Sequence, residues 1–140
     1  MNILVIDNAG WLALLLAELG LEVLSVADEV QALNAAEQQK PEIIFLDYAN
    51  RGDQTPEYIS LLLDVSDGSK LVVIGENIDE DDVFRCLLMG ANGFQDKQQL
   101  PYYINKLVKV VADGEAWVSR KMVARILSTL RQINSEALNA

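Results

Sequence analysis

Apolar residues in this chain follow two patterns. Unbroken runs of four occur at Ile3-Leu4-Val5-Ile6, Ile43-Ile44-Phe45-Leu46 and Leu71-Val72-Val73-Ile74, and the first two end in an acid. A strand with one wet face alternates, so an unbroken aliphatic run predicts a strand covered on both faces. Ile43–Asp47, with Pro41 before it, reads as the central one. Leu21–Val26 partly alternates and suits a strand nearer the edge of a sheet. A short strand ending at Lys97 is expected after the turn at residues 90–93.

Between the runs the spacing becomes helical. Trp11–Leu19 predicts a short, largely buried helix closed by Gly20. Asp28 caps a helix to about Gln39, with Val30, Leu33, Ala36 and Glu37 at helical intervals, and Pro41 closes it. Residues 48–54 are rich in turn formers and predict a loop before a helix that Pro56 opens and that runs through Ile59, Leu62, Leu63 and Val65. Acids at Asp79–Asp82 mark the start of the next helix, with Val83, Phe84, Leu87 and Leu88 inward. Leu100-Pro101 opens another, with Ile104, Leu107, Val108 and Val111 on one face, closing at Gly114. Five strand–helix alternations, joined by connections too long for hairpins, specify an α/β sandwich around a parallel sheet with right-handed crossovers.

A last segment stands outside the alternation. Ser119 can cap a helix from Arg120 to about Ile133, with Val123, Ile126, Leu127 and Leu130 as its stripe and Arg120, Lys121, Arg125 and Arg131 facing solvent. The stripe must bury against its own domain, a second subunit or a further module, and periodicity does not choose among them.

Composition narrows the class. The 140 residues fit one domain, able to bury roughly two-thirds of its unfolded surface. No apolar run approaches a membrane span and the N-terminus lacks the marks of a secretory leader, so a cytoplasmic protein is expected, without membrane association. The net charge of −10 is uneven: residues 1–96 hold 18 acids and four bases, residues 97–140 three acids and seven bases. Such a body repels nucleic acid. The single cysteine, Cys86, has no partner for an internal disulfide and falls on the apolar side of its helix, as packing.

Candidate chemistry sits where the strands end. Asp7, Asp47 and Lys97 each follow a predicted strand, and in open α/β sheets the carboxyl ends of strands form the ligand crevice. Two carboxylates about 4 Å apart repel by several kcal/mol, so a cation sits between them or one takes a proton. Mg²⁺ suits such a site, because it takes oxygen ligands, keeps waters and commonly bridges to phosphate. With Asp47 as nucleophile, the implied reaction forms an aspartyl phosphate whose developing charge Lys97 and the metal neutralise. An Asp-nucleophile phosphatase is a remote alternative, since its D-x-D pattern is missing: Asp7 is followed by Asn8 and Ala9. Dinucleotide binding is weaker still, with no glycine-rich loop after the first strand. The acids at 79–82 lack calcium-loop spacing and read as helix-end stabilisation.

Over residues 2–113 the motifs ILVIDN, IIFLDYANRG, LVVIG and GANGFQDK together resemble a response-regulator receiver domain, the phosphoacceptor half of two-component signalling. Beyond it, VVADGEAWVSRKMVARIL resembles the junction that NarL/FixJ-type regulators use to reach a LuxR-type DNA-binding domain. The resemblance implies a doubly wound five-stranded sheet in the order 2-1-3-4-5, with an extra C-terminal helix. It implies a receiver domain at 1–114, and at 115–140 a linker and helix leading to an output domain outside this chain. It assigns Asp47 as phosphoacceptor, Lys97 as its phosphate-pairing partner, and Asp7, Asp47 and the Ala49 carbonyl as Mg²⁺ ligands. Phe94 stands at the aromatic switch position. A sensor histidine kinase is the implied phosphodonor, and DNA is reached only through the output domain. Apart from the resemblance, a homodimer, if one forms, would use the last two helices, which combine apolar stripes with the chain's basic excess.

Three positions depart from the pattern. Asn8 replaces the second acid of the metal site, leaving at most a weak or indirect ligand. Gly75 stands where a Thr or Ser hydroxyl meets the phosphoryl group and draws the switch inward. Arg51 replaces a proline, adding flexibility and positive charge near the site. They keep open an atypical pseudo-receiver, a dimerisation or interaction module that works without phosphate.

Overall fold

The computed structural model describes residues 1–139. Five parallel strands, β1 (Asn2–Ile6), β2 (Glu22–Val26), β3 (Ile43–Asp47), β4 (Lys70–Gly75) and β5 (Gly93–Asp96), lie in the order β2-β1-β3-β4-β5. The unbroken runs occupy the three middle positions, as double cover requires. Along β1 and β3 the side chains alternate between two cores. Ile3, Val5, Ile43 and Phe45 face α1 (Trp11–Glu18) and the later helix α6 (Leu100–Ala112), while Leu4, Ile6, Ile44 and Leu46 face α2 (Glu29–Gln39), α4 (Thr55–Val65) and α5 (Glu80–Leu88). Each such side chain, fully withdrawn from water, contributes about 1.5–3 kcal/mol. Edge strand β2 is partly exposed, which is why its sequence alternates.

Several expectations are corrected. Residues 48–54 are not a loop: the chain forms a helical turn, α3 (Tyr48–Arg51), and then a 3-10 turn over Gly52–Gln54. The Asp47 carboxylate caps the start of α3, so turn formers here signalled a helix N-terminus. Helix α1 is only half buried: Leu12 and Leu16 are inside, but Leu14 is 69% exposed. On α2 the inward residues are Ala32 and Ala36, and Val30 is 62% exposed, because small residues let this helix approach the sheet. On α5 Cys86 takes the inward place expected of Leu88. Cys86 is packing, and burial pushes its thiol pKa up to about 11.

The last segment joins the domain. Trp117 forms a parallel bridge with Gly93: its N–H donates to Asn92 O at 2.9 Å and its carbonyl accepts from Phe94 N–H at 3.0 Å. A Cβ on Gly93 would stand 2.5 Å from the Trp117 carbonyl oxygen, so only glycine admits this approach. Ser119 Oγ then accepts from Met122 N–H at 3.1 Å, capping α7 (Arg120–Asn139), which runs past the expected end near Ile133. Met122 is buried with Val83 and Phe84 of α5. Arg125 is only partly exposed: its guanidinium lies 4.0 Å from the Phe84 ring centroid and pairs with Asp81 at 2.8 Å. Lys121 pairs with Glu80 at 3.2 Å. The acids of the α5 N-terminus thus serve both their own helix end and α7.

Candidate functional site

Because β1 and β3 are neighbours in register, with Ile6 opposite Leu46, the acids that follow emerge side by side at the carboxyl edge. Asp7 is 3% exposed and Asp47 6%. Asp7 Oδ1 accepts from Ala9 N–H at 2.9 Å and Oδ2 from Leu12 N–H at 3.3 Å, so Asp7 also shapes the turn into α1. Asp47 Oδ1 accepts from Ala49 N–H at 3.0 Å, which fixes the rotation of the carboxylate.

Burial raises the Asp47 pKa above its ordinary value. The Ala49 amide opposes this, the Asp7 charge adds to it, the Lys97 ammonium opposes it, and a hydrogen bond with Asp7 raises it again. Two carboxyl groups side by side at adjacent strand ends call for a proton or a cation between them. The donors here are carboxylate oxygens and the backbone at Ala49, and no group of three or more His, Cys, Asp or Glu side chains gathers among the described residues. That set fits a hard divalent cation such as Mg²⁺, which completes its shell with water. It does not suit zinc, which takes nitrogen and sulfur in closed shells.

Asp47, Ala49 and Lys97 line one hollow of about 320 Å³, together with Tyr48, Gly52, Glu76 and Ile78. Lys97 directly follows β5, as expected, and opens the 3-10 turn Lys97–Gln99. Its Nζ stands 4.7 Å from the Trp11 ring centroid, and no ion pair joins it to a carboxylate among the described residues. It acts on Asp47 through space.

The remaining expectations fare differently. Asn8 Oδ1 accepts from Asn50 Nδ2–H at 3.1 Å, and the same amide donates to Ala27 O, so Asn50 of α3 ties the loops of Asn8 and Ala27 together. Arg51 turns away from the site, pairing with Glu29 at 2.7 Å and lying over Tyr58, so it adds neither free charge nor slack. Phe94 is half-buried between the α5–α7 cluster and the core under α2 and α4. Gly75 is buried, and the space beside it is filled by Ile78 and Tyr48. Glu76 and Ile78 escaped sequence reasoning, as did the seat of Lys97 on Trp11. A lone isoleucine in the polar link Glu76-Asn77-Ile78-Asp79 was the available signal.

No family model matches this chain. Among characterised proteins it is similar to the transcriptional regulatory protein LiaR of Bacillus subtilis, at 25% identity over 143 residues that cover 98% of this chain and 68% of LiaR. It is also similar to the nitrate/nitrite response regulator NarL of Escherichia coli K12, at 29% identity over 101 residues covering 72% of this chain and 47% of NarL. Among solved structures it resembles the signal receiver domain of the putative response regulator NarL from Mycobacterium tuberculosis, with a TM-score of 0.70 at 21% identity, over 81% of this chain and 97% of that one. The chain spans about two-thirds of LiaR and about half of NarL. Among the described residues no helix is long and apolar enough to cross a membrane.

Proposed function

From a chain with the receiver fold and response regulators as its relatives, we propose a domain that accepts a phosphoryl group on Asp47. The observation that carries this is Asp7 beside Asp47 at adjacent strand ends, with Asp47 opening onto a hollow that Lys97 also lines. Burial and the neighbouring charge keep the Asp47 carboxylate basic, and a basic oxygen is the better nucleophile. Asp7, Asp47 and the Ala49 carbonyl would hold Mg²⁺, which supplies charge neutralisation for the arriving phosphoryl oxygens. A carboxylate oxygen of Asp47 attacks phosphorus, an oxygen–phosphorus bond forms, and the bond to the donor breaks with its electron pair leaving on the donor. Lys97 contributes one positive charge from its seat on Trp11. A sensor histidine kinase is the donor, and the signal leaves through the C-terminal side to a dimer or to a DNA-binding module.

One set of observations favours a second reading, an interaction module independent of phosphate. Both Asp7 oxygens already accept backbone N–H groups, Asn8 is engaged elsewhere, and no hydroxyl stands at Gly75. Titration with Mg²⁺ and beryllofluoride separates the two, followed by Trp11 fluorescence, since any movement of Lys97 changes the field on that indole. The acceptor reading expects a saturable change in the wild type that is lost in Asp47→Ala. A wild type without response at millimolar Mg²⁺ favours the phosphate-independent module.

A further inference from the structure

A Cβ placed on Gly75 would lie 2.5 Å from Ile78 Cγ1, 3.0 Å from Ile78 Cδ1 and 3.2 Å from Tyr48 Cβ. The room a side chain would need at this position is therefore occupied, chiefly by Ile78. Ile78 belongs to the link Glu76–Asp79 between β4 and α5, where Asn77 holds a left-handed φ of 54°. Its side chain has two neighbourhoods. On one side it lines the hollow of Asp47 and Lys97. On the other it packs against the cluster of Val83, Phe84 and Met122, which Phe94 and Val118 also join.

Met122 is the buried anchor of α7; beside it Ile126 packs on the same cluster, Arg125 lies over Phe84, and partly exposed ion pairs reach Glu80 and Asp81. Exposed pairs contribute little, so the apolar seat of Met122 decides whether the first turns of α7 stay docked. Close-packed interiors transmit displacement rather than absorb it. We propose that Ile78 is a steric relay between the Asp47 hollow and α7: an occupant crowding the Gly75 side of the hollow drives Ile78 against the Met122 cluster and loosens α7. The relay deepens the acceptor reading by naming what that site controls, and its natural occupant rests on that reading. The mechanical step does not. It needs contact between side chains and no hydroxyl at position 75.

Amide hydrogen exchange on the full chain tests the relay without any ligand. Gly75→Ala places a methyl group where Ile78 now sits, and the amides of residues 124–127 should exchange about tenfold faster while those of β1 and β3 keep the wild-type rate. Gly75→Ala combined with Ile78→Ala relieves the crowding and should return α7 to the rate of Ile78→Ala alone. Wild-type exchange in Gly75→Ala, or a double variant that exchanges as fast as Gly75→Ala, overturns the relay. If Gly75→Ala also disturbs the sheet amides, Ile78→Phe decides, because it enlarges the relay and spares β4; an unchanged α7 then overturns it. A parallel arm adds Mg²⁺ and beryllofluoride. Binding by the wild type with α7 unchanged removes the relay and leaves the acceptor reading, whereas no binding with α7 loosened in Gly75→Ala removes the acceptor reading and leaves the relay.

Discussion

Asp47 holds its proton more tightly in the folded chain than in the unfolded one, first through burial and then through Asp7. For an acid with a raised pKa, the folded state binds the extra proton, so this contribution is fully present below the ordinary value of 3.8 and is lost as pH rises through the raised one. Asp47→Asn should therefore raise the melting temperature at pH 7 without divalent cations and have little effect near pH 3, as thermal unfolding at the two pH values would show. Mg²⁺ should narrow the gap at pH 7 by stabilising the ionised wild type. At Cys86 burial sets the thiol pKa to about 11, so a disulfide reagent at pH 8 should label the native chain far more slowly than the urea-unfolded chain. Equal rates would mean that α5 opens readily. At these positions the sequence made the residue types legible but not their environments: Arg51 read as a free charge near the site, and its partner Glu29 lies on another helix.

At the scale of elements, the bridge to Gly93 makes Trp117 part of the sheet edge and ties the segment around it down. Gly93→Ala forces a methyl group against the Trp117 carbonyl and should cost about 1–3 kcal/mol in urea unfolding, the range for overpacked interiors. A matching Gly68→Ala, where a Cβ meets nothing within 4 Å, should cost markedly less. Cutting the chain after Gly114 uncovers the β5 edge and removes the Met122 anchor at once, so it should lower stability and promote association through an unpaired edge. The elements themselves were largely readable, since unbroken apolar runs and helical stripes are local patterns. Residues 115–119 were not, because a single bridge carries no periodicity.

At the scale of the molecule, charge and shape divide the chain. The acidic body ends in a more basic helix whose residues 130–138 are all exposed, including Leu130, Ile133 and Leu138. A helix end this exposed is marginal in water, and a second copy seated on Leu130, Ile133 and Leu138 would stabilise it. Removing residues after Thr129 leaves Trp117, Met122 and Arg125 in place, so the shortened chain should unfold like the wild type yet sediment as a monomer where the full chain is a dimer. The same sedimentation mass for both chains would exclude the end of α7 as the contact.

The parallel sheet, its central strand and the pair of acids at its carboxyl edge were determined by sequence alone. Uniformly apolar strands are stable only with cover on both faces, and an acid directly after such a strand lies at the carboxyl edge of the sheet. Tertiary structure alone decided that Lys97 rests on Trp11, that Ile78 fills the place beside Gly75, and that α7 folds back onto α5. Each of these joins residues from separate elements, and such contacts follow from how the elements pack rather than from the pattern within any one of them.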